Sequence, residues 1–214
     1  MRRSINAWPA LTDLFSGLLV ATFGALMLFT GMQEDDPVKK RVNQVRTQVA
    51  NTLQSALGGD VRTQGDDVFL DVSLNFERNK DAILPMDREK IKRACDAVRR
   101  LFQTDSTLAK EVEIWIEGHT DALQVELTDP REKYLFNWRL SGNRAASVLH
   151  EFHSCGLEPG KFRIFAIGYA DSRPKPSIPA GSGGQRRTTF RVRPDTCAIE
   201  AVIKRKGNVE ACVT

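Results

Sequence analysis

The sequence lacks the short motifs that mark the common enzyme classes. It has no G-x-S-x-G nucleophile elbow, no glycine-rich phosphate loop and no C-x-x-C pair. Only three histidines are present, and the segment His150-Glu151-Phe152-His153 has the wrong order and spacing for an H-E-x-x-H zinc helix. We therefore expect no enzymatic activity, no metal site and no cofactor.

The chain also lacks a strong charge of either sign. Its 214 residues carry a formal net charge of +4, with 27% charged and 41% hydrophobic residues. The basic residues are spread along the chain, which favours an ordinary solvated surface over nucleic-acid binding. The length leaves room for a single globular domain of roughly 150 residues beyond the N-terminal segment.

Long hydrophobic runs are absent except for one near the N-terminus. The 25 residues from Trp8 to Met32 would form roughly 37 Å of helix, enough to cross a hydrocarbon core of ~30 Å. Trp8 suits the headgroup level, and Pro9 suits a first helical turn. We predict a short N-terminus over residues 1–9 and a transmembrane helix over residues 10–32. A cleavable signal peptide is disfavoured because an acid opens a run that is too long.

Asp13 is the unusual residue of this helix, because an acid at the centre of a membrane helix costs about 2.5–3.5 kcal/mol. It shares one helical face with small residues: Gly17, Ala21, Gly24 and Ala25. Small residues let helices approach closely in lipid, which would make Asp13 a candidate proton or ion relay within a helix–helix contact. The alternative is an interfacial Asp13 at the positive end of the helix dipole.

All four cysteines lie beyond the hydrophobic run: Cys95, Cys155, Cys197 and Cys212. An even count on one side indicates an oxidising compartment and up to two disulfides. Three pairings are possible, and the sequence does not choose among them. Residues 195–214 are expected to form a C-terminal tail around a hairpin-length stretch, with a bridge as one way of pinning it.

Residues 33–59 are expected to form an amphipathic linker. Its apolar residues recur at three- and four-residue steps, which predicts a helix of about five turns: Val38, Val42, Val45, Val49, Leu53 and Leu57. Gly58-Gly59 would cap it. The helix could pack on its own domain, join two copies as a coiled coil, or act as a plug on the membrane. The heptad-like steps favour the dimeric seam.

Residues 60–194 alternate between strand and helix patterns, and we assign the chain to the α+β class. The patterns predict a hairpin over 61–72, a helix from Pro85, a strand over 112–117 and a loop over 122–136. A second helix over 137–155 should end at Gly156 in a Schellman-type cap. Strands over 162–168 and 187–193 complete a two-layer α/β sandwich of about four strands.

Four motifs in this region resemble the OmpA/MotB-type peptidoglycan-binding domain. They are Glu117-Gly118-His119-Thr120-Asp121, the N-x-x-L-S-x-x-R-A-x-x-V series from Asn137 to Val148, Ala166-Ile167-Gly168-Tyr169-Ala170-Asp171, and Gln185-Arg186-Arg187. The resemblance covers roughly residues 67–193. Two departures are a longer loop between Asp121 and Asn137, and Gln185 where the family often has Asn.

This resemblance implies non-covalent binding of the diaminopimelate of cell-wall peptides. Asp121 would pair with the ligand ammonium and Arg144 with its carboxylate, as charge-assisted contacts. Asn137 and Arg187 would complete or brace the pocket.

A helix bearing one Asp ahead of such a domain resembles the B subunits of ion-driven motors, of which the flagellar MotB type is the best known. The compact chain, short linker and cysteines more closely resemble the B subunit of the Zorya anti-phage system. This implies a bacterial inner-membrane homodimer with a cytoplasmic N-terminus and a periplasmic domain. The dimer would lie inside a pentamer of a polytopic A-type partner, and Asp13 would carry protons. A flagellar-type stator and a non-motor membrane-to-wall tether are the alternatives.

Overall fold

The computed structural model describes residues 8–33, 36–57, 61–122, 129–158, 160–179 and 181–204. The chain divides into two compact units between Lys40 and Arg41. The described helices are α1 (Trp8–Gln33), α2 (Pro37–Leu57), α3 (Pro85–Thr104), α4 (Leu108–Glu111), α5 (Pro130–Ser154) and α6 (Thr196–Ile203). The described strands are β1 (Val61–Gln64), β2 (Asp67–Asn75), β3 (Val112–Gly118), β4 (Ile164–Gly168) and β5 (Arg187–Pro194).

Helix α1 follows the hydrophobic run of the sequence. Its side chains from Thr12 to Leu28 are all exposed, and the unbroken helix places Asp13 on the same face as Gly17 and Ala21. Among the described residues, no helix combines the length and the apolar character that a membrane crossing requires. The span over residues 10–32 stays a prediction, while residues 1–7 and the side chain of Trp8 lie outside the described part.

Helix α2 packs on its own domain, and the preferred dimeric seam was wrong. The side chains that repeat at heptad-like steps are buried within a single chain: Val42, Val45, Val49 and Leu53. Arg41 and Arg46 tie the same helix to Glu111 and to the turn at Gly65. These apolar side chains already have cover, so they cannot form a seam between two copies. The Gly58-Gly59 cap lies outside the described residues.

The five strands form one mixed sheet in the order β1-β2-β5-β3-β4. The β1–β2 hairpin is antiparallel, and β5 lies antiparallel to both β2 and β3. β3 and β4 are parallel, as expected when helix α5 forms the crossover between them. β5 is the last strand of the described residues and lies at the centre of the sheet, where it joins the β1–β2 hairpin to the β3–α5–β4 unit.

Alternation along the strands separates two faces of the sheet. On the inner face, the Phe190 ring stacks on Phe152 of α5 with 5.1 Å between ring centroids. Ile116, opposite Phe190 in the ladder, is buried on the same side. Glu117 and Thr189 form the next ladder pair and lie on the opposite, outer face. The helices therefore cover the inner face, and the two-layer sandwich is as predicted.

Two helices differ from the prediction, and each begins after a capping aspartate. Helix α5 begins earlier than predicted, and helix α6 was not predicted. Helix α5 starts at Pro130, inside the segment predicted as a loop, and the Asp129 carboxylate accepts from the Arg131 backbone N–H at 2.8 Å. Asp195 caps α6 in the same way, so a helix stands where a hairpin-length stretch was expected. The Schellman cap at Gly156 is confirmed, since Leu157 N–H donates to the Phe152 carbonyl.

The cysteine pairing that the sequence left open is decided by the helix layer. Cys95 of α3 and Cys155 at the end of α5 form a disulfide, with their Cα atoms 6.7 Å apart. Cys197 is also disulfide-bonded, and Cys212 lies outside the described residues. The first bridge joins the two helices that cover the inner face.

Candidate functional site

Asp121 lies just beyond the C-terminal end of β3, where the sheet meets helix α5. Gly118 ends the strand. After it, the His119 N–H donates to the Arg187 carbonyl and the Thr120 N–H donates to the Ala170 carbonyl. Asp121 is only 7% exposed. A carboxylate buried to this degree needs a charged or hydrogen-bonding partner to offset its lost hydration.

That partner is Arg186, a residue that the sequence analysis did not select. Its Nη1 lies 2.7 Å from Asp121 Oδ2, and its Nε donates to the Phe76 carbonyl at 3.1 Å. The sequence did show two successive arginines. Successive residues at the start of a strand point to opposite faces, so only one of the pair can reach Asp121.

Arg144 projects from α5 into the protein interior and is fully buried. Its guanidinium donates to the backbone carbonyls of His119 at 2.9 Å, Lys80 at 3.0 Å and Glu77 at 3.2 Å. It also lies over the Phe76 ring, 5.0 Å from the centroid. Arg144 thereby fastens the end of β3 to the segment that precedes α3.

Burial lowers the pKa of Arg144 to about 10, while the nearby Asp121 carboxylate acts in the opposite direction. The guanidinium is therefore still protonated at neutral pH. The structure brings together one carboxylate, Asp121, with two guanidinium groups, Arg144 and Arg186. This three-residue group is called the β3-end cluster below.

Arg187 does not join the β3-end cluster. Its guanidinium donates to Gln185 Oε1 at 3.1 Å and to the Arg173 carbonyl at 3.1 Å, on the other side of β5. Gln185 in turn donates to the Ile178 carbonyl at 2.7 Å and accepts from Lys175 N–H at 2.9 Å. Arg187 and the unusual Gln185 therefore hold the loop between β4 and β5.

Asn137 lies on α5, half-buried. No hydrogen bond joins its side chain to the described residues, and residues 123–128, which precede it in the long loop, lie outside them. The ligand contacts predicted for Asn137, Asp121 and Arg144 all stay predictions, whereas the structure does place Asp121 and Arg144 in one electrostatic group.

The chemistry available at the β3-end cluster is ionic recognition. A buried carboxylate paired with a guanidinium can exchange partners with a ligand that carries both an ammonium and a carboxylate. Within the described ranges, no group of three or more His, Cys, Asp and Glu side chains is arranged to hold a metal ion.

The fold and this cluster define an OmpA-like α/β domain, and comparison of the sequence with protein families agrees. The OmpA family matches residues 75–187, which is more than half of the chain. The protein therefore belongs to the OmpA family. The matched range runs from the end of β2 to the first residue of β5, and includes the whole β3-end cluster.

Individual relatives are more distant. The uncharacterized protein YtxE of Bacillus subtilis strain 168 is 26% identical over 156 residues, which is 67% of this chain and 62% of that protein. The match thus spans less than two thirds of the relative's length.

A solved structure of a MotB-like protein from Desulfovibrio vulgaris is 19% identical, with a TM-score of 0.51 over 73% of this chain and 96% of that one. The periplasmic domain of Helicobacter pylori MotB is 20% identical, with a TM-score of 0.49 over 69% and 99%. The Desulfovibrio vulgaris structure supports the assignment of the fold and nothing beyond the fold.

Proposed function

We propose that this chain binds peptidoglycan through the β3-end cluster and links the cell wall to the bacterial inner membrane. The observation that carries the proposal is the pairing of the nearly buried Asp121 carboxylate with Arg186, beside the buried Arg144. The solved MotB-like structure supports the fold on which this reading rests.

The recognition step is an exchange of ion pairs. A diaminopimelate side chain ends in a centre that carries one ammonium and one carboxylate. Its ammonium would take the place of Arg186 beside Asp121, and its carboxylate would accept from the guanidinium that is released. The Arg144 guanidinium, already committed to three carbonyls, supplies fixed positive charge beneath the ligand and holds the strand end in position.

The test is co-sedimentation of the full-length chain, in a non-ionic detergent, with purified sacculi that contain diaminopimelate. We expect Asp121→Asn to weaken binding by about tenfold or more, because a charge-assisted contact is worth roughly 1.5–3 kcal/mol. The matched control is Asp96→Asn on the outside of α3, which changes the same charge at a partly exposed pair with Arg99. Equal binding by all three proteins would contradict the proposal.

The membrane link is proposed for α1. Support comes from the apolar run of the sequence and from the exposure of its large side chains: Leu14, Phe15, Leu18, Leu19, Val20 and Phe23. Such a helix requires lipid or other helices to cover it. In the proposed topology the N-terminus is cytoplasmic and the domain is periplasmic. Protease added to spheroplasts should then remove a C-terminal tag and spare an N-terminal one. The reverse result would exclude this topology.

We further propose that the link is a motor subunit in which Asp13 is the proton relay. Asp13 shares its face with Gly17 and Ala21, where a second helix could approach closely. Proton motive force supplies ~2.3 kcal/mol per charge per 100 mV, so repeated protonation of this carboxylate could drive a pentameric polytopic A-type partner around a homodimer. The sequence resemblance favours a Zorya-type defence motor over a flagellar stator.

Purification from the native host separates the motor from a plain tether. A motor subunit should copurify with a polytopic partner, and Asp13→Asn should abolish proton uptake by vesicles that contain both proteins while leaving assembly and wall binding intact. A tether would have no such partner and would tolerate the substitution. Neighbouring reading frames for helicase-like or nuclease-like proteins would support defence, and chemotaxis frames would support motility.

A further inference from the structure

The outer face of the sheet carries a second group of charged residues that the β3-end cluster does not use. A cavity of about 250 Å³ lies between this face and the segment after β4. Its floor comprises Glu117, His119 and Thr189, and its rim includes Arg62 of β1 and Arg173. We call it the sheet-face pocket. It lies on the opposite face of the strands from α5, so the two sites are separate.

The pocket has an excess of positive charge. Four cationic residues line it, Arg62, Arg173, Lys175 and Arg187, against one carboxylate, Glu117. That carboxylate is neutralised by Arg191 on the same face of the sheet, because Arg191 Nη2 lies 2.5 Å from Glu117 Oε1. Lys175 and Arg187 have bonding partners in the protein, but their charges remain. The net field in the pocket therefore attracts anions.

Two of the cations are held ready for a ligand. The Arg62 guanidinium lies over the Phe69 ring at 4.9 Å, and the Arg173 guanidinium lies over the Tyr169 ring at 4.0 Å. The N–H groups of a stacked guanidinium lie in its own plane, parallel to the ring, so they point outward and can still donate hydrogen bonds. Neither of these two guanidinium groups has an ion-pair or hydrogen-bond partner among the described residues. Stacking reduces the side-chain entropy that a ligand would otherwise have to remove.

His119 adds an unpaired polar atom to the floor. Its side chain is 2% exposed, its Nε2 lies 3.3 Å from Thr189 Oγ1, and its Nδ1 has no hydrogen-bond partner within the described part of the chain. Burial, together with the charges of Arg187 and Arg173, lowers the pKa of His119 to about 3. Buried polar atoms normally find a partner, so an unpaired one at the floor of a charged pocket points to a ligand or ordered water.

We propose that the sheet-face pocket binds a small oxyanion, a carboxylate or a phosphate group, held by the guanidinium groups of Arg62 and Arg173. A water molecule occupies about 30 Å³ in the liquid, so the pocket of about 250 Å³ holds only a few waters. This volume suits a compact ligand rather than a polymer chain. A bound anion would offset the positive field at His119 and make its ring easier to protonate.

The test uses the full-length chain in non-ionic detergent at low salt, titrated with inorganic phosphate in one arm and succinate in the other. Binding is measured by calorimetry and by the NMR signals of the His119 ring. We expect saturable binding of at least one anion with a shift of the His119 resonances. Phosphate alone would indicate a phosphate ligand, and succinate alone would indicate a carboxylate ligand.

Arg62→Gln/Arg173→Gln should weaken this binding by about tenfold or more. The control is Arg93→Gln/Arg100→Gln on the exposed side of α3, which removes the same charge far from the pocket. Circular dichroism and thermal unfolding establish that both double variants are folded. The proposal is overturned if neither anion saturates, or if the control weakens binding equally, which would indicate an adventitious ion only. Asp121→Asn should leave anion binding unchanged, so this test and the wall-binding test can fail independently.

Discussion

Gly118 and Ser141 are in such close contact that a Cβ atom on Gly118 would lie 1.9 Å from the Ser141 carbonyl oxygen. This contact sets the end of β3 against α5. Asp121 follows Gly118 by three positions, and Arg144 follows Ser141 by three. The geometry of the β3-end cluster therefore depends on the absence of a side chain at Gly118.

Gly118→Ala should destabilise the domain and weaken wall binding together. The added methyl group would meet backbone atoms rather than a flexible side chain, so relief requires α5 to move, at a cost of about 1–3 kcal/mol or more. Thermal unfolding and sacculus co-sedimentation measure the two effects. Gly142→Ala is the matched control, because that position in α5 has open space and alanine favours helix by about 1 kcal/mol. A Gly118→Ala protein as stable as the wild type would refute the close contact.

A second prediction concerns the ion pair that fastens α2 to its domain. Arg41 Nη2 lies 2.7 Å from Glu111 Oε2, and Glu111 is only 1% exposed. Arg41→Met should cost about 3 kcal/mol, because it leaves a buried carboxylate without its partner. Denaturant unfolding measures the loss.

Two comparisons make that prediction specific. Arg46→Met removes a pair with Asp66, which is 65% exposed and 3.8 Å away, so it should cost less than about 1 kcal/mol. The double variant Arg41→Met/Glu111→Met should recover much of the stability lost by Arg41→Met. Equal effects of the two single arginine substitutions would show that burial of Glu111 is not decisive.

The Cys95–Cys155 disulfide should be a major source of stability. It closes a sequence separation of 60 residues, for which the chain-entropy estimate is about 4 kcal/mol. Cys95→Ala/Cys155→Ala leaves the other cysteines in place and should lower the free energy of unfolding by several kcal/mol. Wild-type protein under reductant should fall to the same level or below. If the double variant unfolded at the same denaturant concentration as the wild type, the bridge would not be stabilising.

The fourth prediction is a loss of stability in acid caused by His119. Burial lowers its pKa in the folded protein from the ordinary value of 6.5 to about 3, so the unfolded chain binds a proton that the folded chain does not. Between these two values, stability falls with falling pH by up to about 1.4 kcal/mol per pH unit. Above pH 6.5 this contribution is constant.

His119→Gln should remove that component of the acid sensitivity. The measurement is the free energy of unfolding at pH values from 7 to 4.5, with the difference in slope between variant and wild type as the readout. His150→Gln on the exposed side of α5 is the matched control, because it makes the same substitution at a solvent-exposed histidine. Parallel pH profiles for wild type and His119→Gln would contradict a depressed pKa.

Much of the site was accessible from the sequence because its motifs are local. The T-D step at the end of β3 and the L-S-x-x-R series on α5 selected Asp121 and Arg144 through the family resemblance, and the structure places the two side chains in one cluster. Arg186 was missed because alternation separates Arg186 from Arg187 but does not tell which of the two faces Asp121. The structure places Arg187 on the outer face and Arg186 on the inner side with Asp121.

The sequence alone determined the order of the strands and of helices α2, α3 and α5, the two-layer sandwich and the motifs of the OmpA family, because periodicity and turn residues act over a few positions. Only the tertiary structure decided that Val45 and Leu53 of α2 are buried within one chain, that Cys95 pairs with Cys155, and that Arg144 serves three backbone carbonyls. The physical reason is the same in each case. A side chain's partner is set by residues far away in the chain, and a pattern of apolar, sulfur or charged positions fits several partners until the fold brings one of them within reach.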